Sequence, residues 1–158
     1  MTAILPSATA GQYIKDVFDK LDRDVKVFRL DMLTVEYHDS FFTRGQTRPL
    51  FVASRDEWVA RFRDLVGPEG HAFRGRPGPG NVIRLWRGTQ HAEHKDGLSW
   101  TARKSVASDY ASQGDAPGQL WRIDSVPMHA ILRYDGIGRV LSEFLVDTTG
   151  LTIVQEDL

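Results

Sequence analysis

Glu143 lies in RVLSEFLVD, a β-branched and aromatic run that reads as a strand over 139–147. Alternate side chains share a face of a strand, so Leu141, Glu143, Leu145 and Asp147 line one side and Val140, Ser142, Phe144 and Val146 the other. A carboxylate set between leucines is strongly disfavoured if it is buried without a partner. The simplest account is that this face meets water, because charged side chains are seldom fully buried. The other is that the carboxylate is kept there for chemistry. Arg87 raises the same question, since it ends the apolar stripe Ile83 and Leu85 with a guanidinium. Gly88 follows at once, where backbone can approach a ligand closely. One strand offering an arginine and another a glutamate outline a cleft.

A third element is GLSWTARKSVASDYA, in which Gly97 precedes Ser99, Trp100 and Thr101 and a helix follows with Val106, Tyr110 and Ala111. Ser99 or Thr101 suits a helix N-cap, which is the default role for Thr101. With no Gly-x-Ser-x-Gly elbow, a serine hydrolase lacks its usual support. GRPGPG is neither a dinucleotide fingerprint following a strand nor a P-loop with Gly-Lys-Ser/Thr. His91 and His94 are spaced as a pair of metal ligands, but no third ligand is suggested nearby, so no metal is expected. Trp86 and Trp121 alternate with apolar neighbours and suit a core better than a nucleobase platform.

These residues must be positioned by a chain of 158 residues, long enough for one domain with a sizeable core. It is 41% hydrophobic and 26% charged, with a net charge of −1, so nothing global favours nucleic acid or membrane. The absence of cysteine excludes disulfides, thiol catalysis and cysteine-ligated zinc. MTAILPSATAG lacks a basic leader segment, and no stretch approaches the roughly 20 apolar residues of a membrane span, so a cytoplasmic location is expected. Ile14, Val17, Phe18, Leu21, Val25 and Phe28 recur at helical spacing. SRDEWVARFRDLV reads as a second helix, with Ser54 and Glu57 as its capping box and Gly67-Pro68 as its stop. Leu30 to Phe42 between them is ambiguous between helix and strand.

The second half reads as strands over 81–88, 118–126, 129–134, 139–147 and 151–155, with a helix near Arg103 to Ser112. Helices first and strands later predict an α+β fold: a mainly helical segment, 1–75, packed on a β-rich half, 76–158. The join FRGRPGPGNV is a loop, and no acidic residue falls between Gly70 and Ala92, where Arg74, Arg76, Arg84 and Arg87 lie. For Arg74 and Arg76 the solvated-loop reading is preferred; a local positive field for a phosphate-bearing ligand is the functional one.

In order, LWRGT, GLSWT before the helix SVASDYA, GQLWRIDSVP, HAILRY and SEFLVD resemble the ADP-ribosyltransferase superfamily. The resemblance is to the branch named for its Arg–Ser–Glu signature, to which the cholera-toxin-like enzymes belong. It spans about Asn81 to Gln155 and leaves residues 1–75 uncovered. It implies a split, mostly antiparallel NAD-binding sheet and an enzyme that releases nicotinamide and transfers ADP-ribose. Arg87 would hold the phosphate and ribose side of NAD, and Gly88 would offer backbone to the nicotinamide amide. Ser99, with Thr101 in the Ser-x-Thr element, would support the catalytic glutamate and the nicotinamide ribose. Tyr110 would pack near the nicotinamide, and Glu143 would be the catalytic glutamate.

The resemblance also gives the opening puzzle a chemical answer. Breaking the nicotinamide–ribose bond forms an oxocarbenium-like transition state, and the leaving group departs neutral, so one carboxylate suffices. A fixed, partly desolvated glutamate stabilises that developing charge. Arginine-modifying members carry Glu or Gln two residues before this glutamate. Here that position is Leu141, which leaves another protein side chain, a nucleic-acid base, a small molecule or water as acceptor. The alternatives are a non-catalytic module of this fold that binds a protein or nucleotide, an NAD glycohydrolase, and a nucleic-acid binder using arginines 74 to 87. For residues 1–75 the expectation is a helical cap lining the acceptor side of the cleft.

Overall fold

A computed structural model describes residues 7–42, 54–70, 82–135 and 143–158 of the chain. The Gly/Pro join with Arg74 and Arg76, the start of the glutamate strand at 139–142, and therefore Leu141, lie outside the described residues. Among the described residues three α-helices, α1 (Ser7–Phe42), α2 (Arg55–Val66) and α3 (Lys104–Ala111), accompany six strands. The strands are β1 (Val82–Thr89), β2 (Ser99–Thr101), β3 (Gln119–Pro127), β4 (Ile131–Asp135), β5 (Glu143–Val146) and β6 (Val154–Glu156). They form one sheet in the order β4-β5-β2-β1-β3-β6, and every pair is antiparallel. The fold is α+β, as the ordering of helical and strand patterns predicts.

The ambiguous stretch Leu30 to Phe42 is helical and continuous with the first helix, giving α1 its 36 residues. The stripe Ile14 to Phe28 does not pack on the rest of the chain; it is exposed. What docks is another face further along, formed by Leu30, Leu33, Thr34 and Tyr37 at spacings of three, four and seven residues. These meet Trp58, Val59, Phe62 and Val66 of α2, together with Leu98, Leu132 and Leu145 from the strand half. Tyr37 packs edge-on against Trp58 with ring centroids 5.4 Å apart. Ser54 caps α2 by accepting the Glu57 backbone N–H, and Gly67, at φ 68°, ends it.

The other side of the sheet carries a second core of Leu85, Trp100, Trp121, Ile123, Phe144 and Val146, among others. Strand β5 therefore feeds both cores by alternation, with Phe144 and Val146 on one side and Leu145 on the other. Glu143 shares the face of Leu145, and that face is the one α1 and α2 cover. Trp121 is in the core, and its indole N–H donates to Thr89 Oγ1. Trp86 is only partly buried and donates to Glu156. Asp147, just past β5, accepts from Arg63 at 3.1 and 3.2 Å and so ties α2 to the end of the glutamate strand.

Candidate functional site

The register of the sheet decides which side chains can meet Glu143. Strand β2 sits beside β5 with Ser99 opposite Leu145 and Thr101 opposite Glu143, so all four share a face. Ser99 reaches diagonally along it, and its hydroxyl donates to Glu143 Oε2 at 2.6 Å. The other carboxylate oxygen, Oε1, lies 2.7 Å from His38 Nε2 of α1. An ionised carboxylate only accepts, so Nε2 carries the proton in this contact. The face opens only partly to water: the Glu143 side chain retains 25% of its exposure and both of its oxygens are bonded.

Arg87 closes the cluster from β1. Its Nε donates to the His94 carbonyl at 3.0 Å and its Nη1 to the Ser99 carbonyl at 2.8 Å. Ser99 thus joins the arginine, through its backbone, to the glutamate, through its hydroxyl. Gly97 makes room for the guanidinium, because a Cβ there would stand 2.2 Å from Arg87 Nη2. Among the described residues no carboxylate lies within ion-pair distance of Arg87. Burial pushes the guanidinium pKa down, while Tyr37, Asp96 and Glu143 act against that shift. An arginine has no accessible neutral form, so it remains a poorly solvated cation whose bonded partners are neutral carbonyls.

Electrostatics set the protonation of the cluster. Burial pushes the Glu143 carboxyl up, but hydrogen bonds from His38 and Ser99, with the fields of His38 and Arg133, outweigh it and hold it below its ordinary value. Glu143 is therefore an anion throughout the neutral range. Burial pushes the Tyr37 hydroxyl up to about 12, with Arg87 opposing and Glu143 reinforcing the shift, so Tyr37 is a neutral wall beside both charges.

The other expected residues are placed differently. Thr101 is buried, and its hydroxyl accepts the Arg103 backbone N–H, shaping the turn into α3. The N-cap position of α3 is Arg103, so Thr101 is not the cap. Gly88 is a glycine because α3 crosses it: a Cβ would stand 1.9 Å from the Ala107 carbonyl oxygen and 2.8 Å from Ala111 N. The requirement for glycine there is met by helix packing before any ligand is considered. Tyr110 lies on α3, is 44% exposed and makes no side-chain hydrogen bond or ring contact among the described residues. His91 and His94 stack edge-on in an exposed 3-10 turn, and no group of three metal-ligating residues occurs among the described residues.

The chain matches no protein-family model, no curated protein and no solved structure. Arg87, Ser99 and Glu143, from three separate strands, are linked through Ser99. The sequence reading missed His38, Tyr37 and the role of Gly97. The signal for the first two was present: the inward face Leu30, Leu33, Thr34 and Tyr37 identifies a helix that brings the next residue, His38, beside β5.

Proposed function

We propose that this cluster is the catalytic centre of an NAD-dependent mono-ADP-ribosyltransferase of the Arg–Ser–Glu kind. The observation that carries the reading is the double engagement of Ser99, whose hydroxyl holds Glu143 Oε2 at 2.6 Å while its carbonyl holds Arg87 Nη1 at 2.8 Å. NAD suits these residues because it brings a pyrophosphate for a cation with no carboxylate at ion-pair distance among the described residues and a glycosidic bond for a fixed anion. In the proposed reaction the bond between ribose C1′ and the nicotinamide nitrogen breaks, and its electron pair leaves with nicotinamide, which becomes neutral. A nucleophile on the acceptor forms the new bond to C1′ and gives up its proton to solvent. Glu143 stabilises the positive charge that develops on the ribose, an effect strongest where water is partly excluded. Ser99 and His38 hold the carboxylate in one orientation and keep it ionised. Each carboxylate oxygen has two lone pairs, so Oε1 can accept from a ribose hydroxyl as well as from His38.

The test is nicotinamide release from NAD by the wild type and by Glu143→Ala, first without an acceptor and then with cell lysate. Release that disappears in the variant is expected, and labelling of a lysate component would identify the acceptor class. Undiminished release by Glu143→Ala defeats the assignment. The contact between His38 and Glu143 Oε1 favours a second reading, in which a domain of this fold binds a nucleotide or protein without turnover. Calorimetry separates the two, since a binding module would take up NAD and return it unconsumed.

A further inference from the structure

Helix α1 carries two different faces. Leu30, Leu33, Thr34 and Tyr37 are buried against the body of the chain, but the opposite side holds a second apolar series along most of the helix. Phe18, Val25 and Met32 alternate with Ile14, Leu21, Phe28 and Val35 at steps of four and three residues without a break. That is a strict heptad, with the first three at a positions and the other four at d positions. A period of 3.5 rather than 3.6 is the mark of a coiled-coil seam. All seven side chains are between 53% and 66% exposed. They present on the order of 700 Å² per copy, close to the roughly 800 Å² per partner of a standard specific interface. Residues 11–26 of α1 are exposed throughout, so among the described residues nothing packs against this stretch, and most helical stability in proteins comes from such packing.

We infer that the occupant of this seam is a second copy of the chain, packed antiparallel through α1. The flanking charges select the copy and the direction. In the antiparallel arrangement Phe18 meets Val35, Leu21 meets Met32 and Val25 meets Phe28, each pair occurring twice, so six successive layers are apolar and Ile14 falls opposite Asp39 at either end. The e positions then set Lys15 of one copy against Glu36 of the other, and Asp22 against Arg29, giving four opposite-charge pairs, in which Glu36 also bonds Arg61 and Lys15 also bonds Asp19 within its own copy. A parallel, in-register pair would gain Asp24 against Arg29 but would set Asp31 against Glu36. The antiparallel form leaves a like-charge pair too, Asp24 against Asp31, and Arg133 bonds Asp31 at 3.3 Å within each copy in either form, so the four opposite-charge e pairs decide the direction. A membrane surface is the poorer occupant: between Gln12 and Lys26 the helix carries four acidic and four basic residues, with no excess of cations for anionic lipid. In this arrangement the second copy's helix passes beside the turn that holds His38, so the dimer seam adjoins the Glu143 cluster.

The experiment is sedimentation of the full chain at micromolar concentration, with Phe28→Glu as the disrupting variant. The wild type is expected near twice 17.8 kDa, and Phe28→Glu near 17.8 kDa with its dissociation constant raised at least about 100-fold. Phe28 is exposed, so the variant should keep the circular dichroism and tryptophan fluorescence of the body. Direction is read by cross-linking, which is clean because the chain has no cysteine. A mixture of Phe18→Cys and Val35→Cys should form a mixed disulfide, and Phe18→Cys alone should not. A monomeric wild type, a dimer indifferent to Phe28→Glu, or self-linking of Phe18→Cys would each overturn the proposal.

Discussion

Replacing Glu143 by Gln separates the carboxylate's chemical role from its structural one. The amide is isosteric: Oε1 can still accept from His38, and the Ser99 hydroxyl can rotate to accept from the new N–H group. What is lost is charge assistance. Hydrogen bonds to charged groups contribute about 1.5–3 kcal/mol against about 0.5–1.5 for neutral ones, so two weakened bonds forfeit about 2–3 kcal/mol. Against this, a partly buried carboxylate carries a desolvation penalty of a few kcal/mol that the amide escapes. The lowered pKa of Glu143 says that the bonds outweigh the burial, so the balance favours the ion, and Gln should destabilise by about 1 kcal/mol at pH 7.

The sign with pH follows from that direction. A depressed carboxyl pKa adds stability that is fully present above the ordinary value of 4.5 and is lost as pH falls through the folded-state value. The gap between wild type and Glu143→Gln should therefore close as pH falls through the folded-state value. Urea unfolding followed by the fluorescence of the four tryptophans measures it directly. Nicotinamide release by the same variant should fall by about 100- to 1,000-fold, the loss seen when one charge-stabilising group is removed from an active site. A stability cost that persists in acid, where the carboxyl is protonated, would come from shape and packing rather than from charge, and the expectation from charge balance would fail.

Gly88→Ala should destabilise by about 2–3 kcal/mol in urea, because its Cβ meets the Ala107 carbonyl and forces α3 off β1; a cost under about 1 kcal/mol would show that the contact is soft. Gly97→Ala should weaken NAD binding about tenfold by calorimetry while costing less than about 1 kcal/mol of stability, since the atom it meets is the end of the Arg87 side chain. Asp147→Asn should cost about 2 kcal/mol at neutral pH through the weakened Arg63 and Thr149 bonds. Burial pushes this carboxyl up but those bonds hold it below its ordinary 3.8, so the cost should vanish as pH falls through the lowered value. His38→Ala should reduce nicotinamide release about tenfold and His38→Gln should restore most of it, the pattern of a residue that acts by orienting Glu143.

The parts of the fold that were legible in the sequence are those whose periodicity has one interpretation. Ser54 and Gly67 bracket α2 through local chemistry alone, and the alternation in Phe144, Leu145 and Val146 assigns both faces of β5 without knowing its neighbours. The face of Glu143 was correctly set with Leu145, but what covers that face is non-local, and alternation cannot distinguish water from a helix 105 residues away. Gly88 shows the same limit, since a glycine needed for close approach reads alike whether a ligand or α3 is the neighbour. The first helix is the instructive case. Its strongest apolar pattern, Ile14 to Phe28, invites burial against the sheet, yet the body is held by the four less conspicuous residues Leu30, Leu33, Thr34 and Tyr37. A 3.5 period and a 3.6 period differ by only about 20° per heptad, so over three turns they cannot be told apart. Over the full series to Val35 they diverge enough to matter, and it is the extension through the ambiguous stretch that identifies a seam rather than a core stripe. One helix thus carries two sets of residues on opposite sides, one holding His38 against Glu143 and the other left for a partner outside the chain. A substitution in the seam should therefore change assembly while leaving the bond between His38 and Glu143 in place, and a substitution at Leu30 or Leu33 should do the reverse.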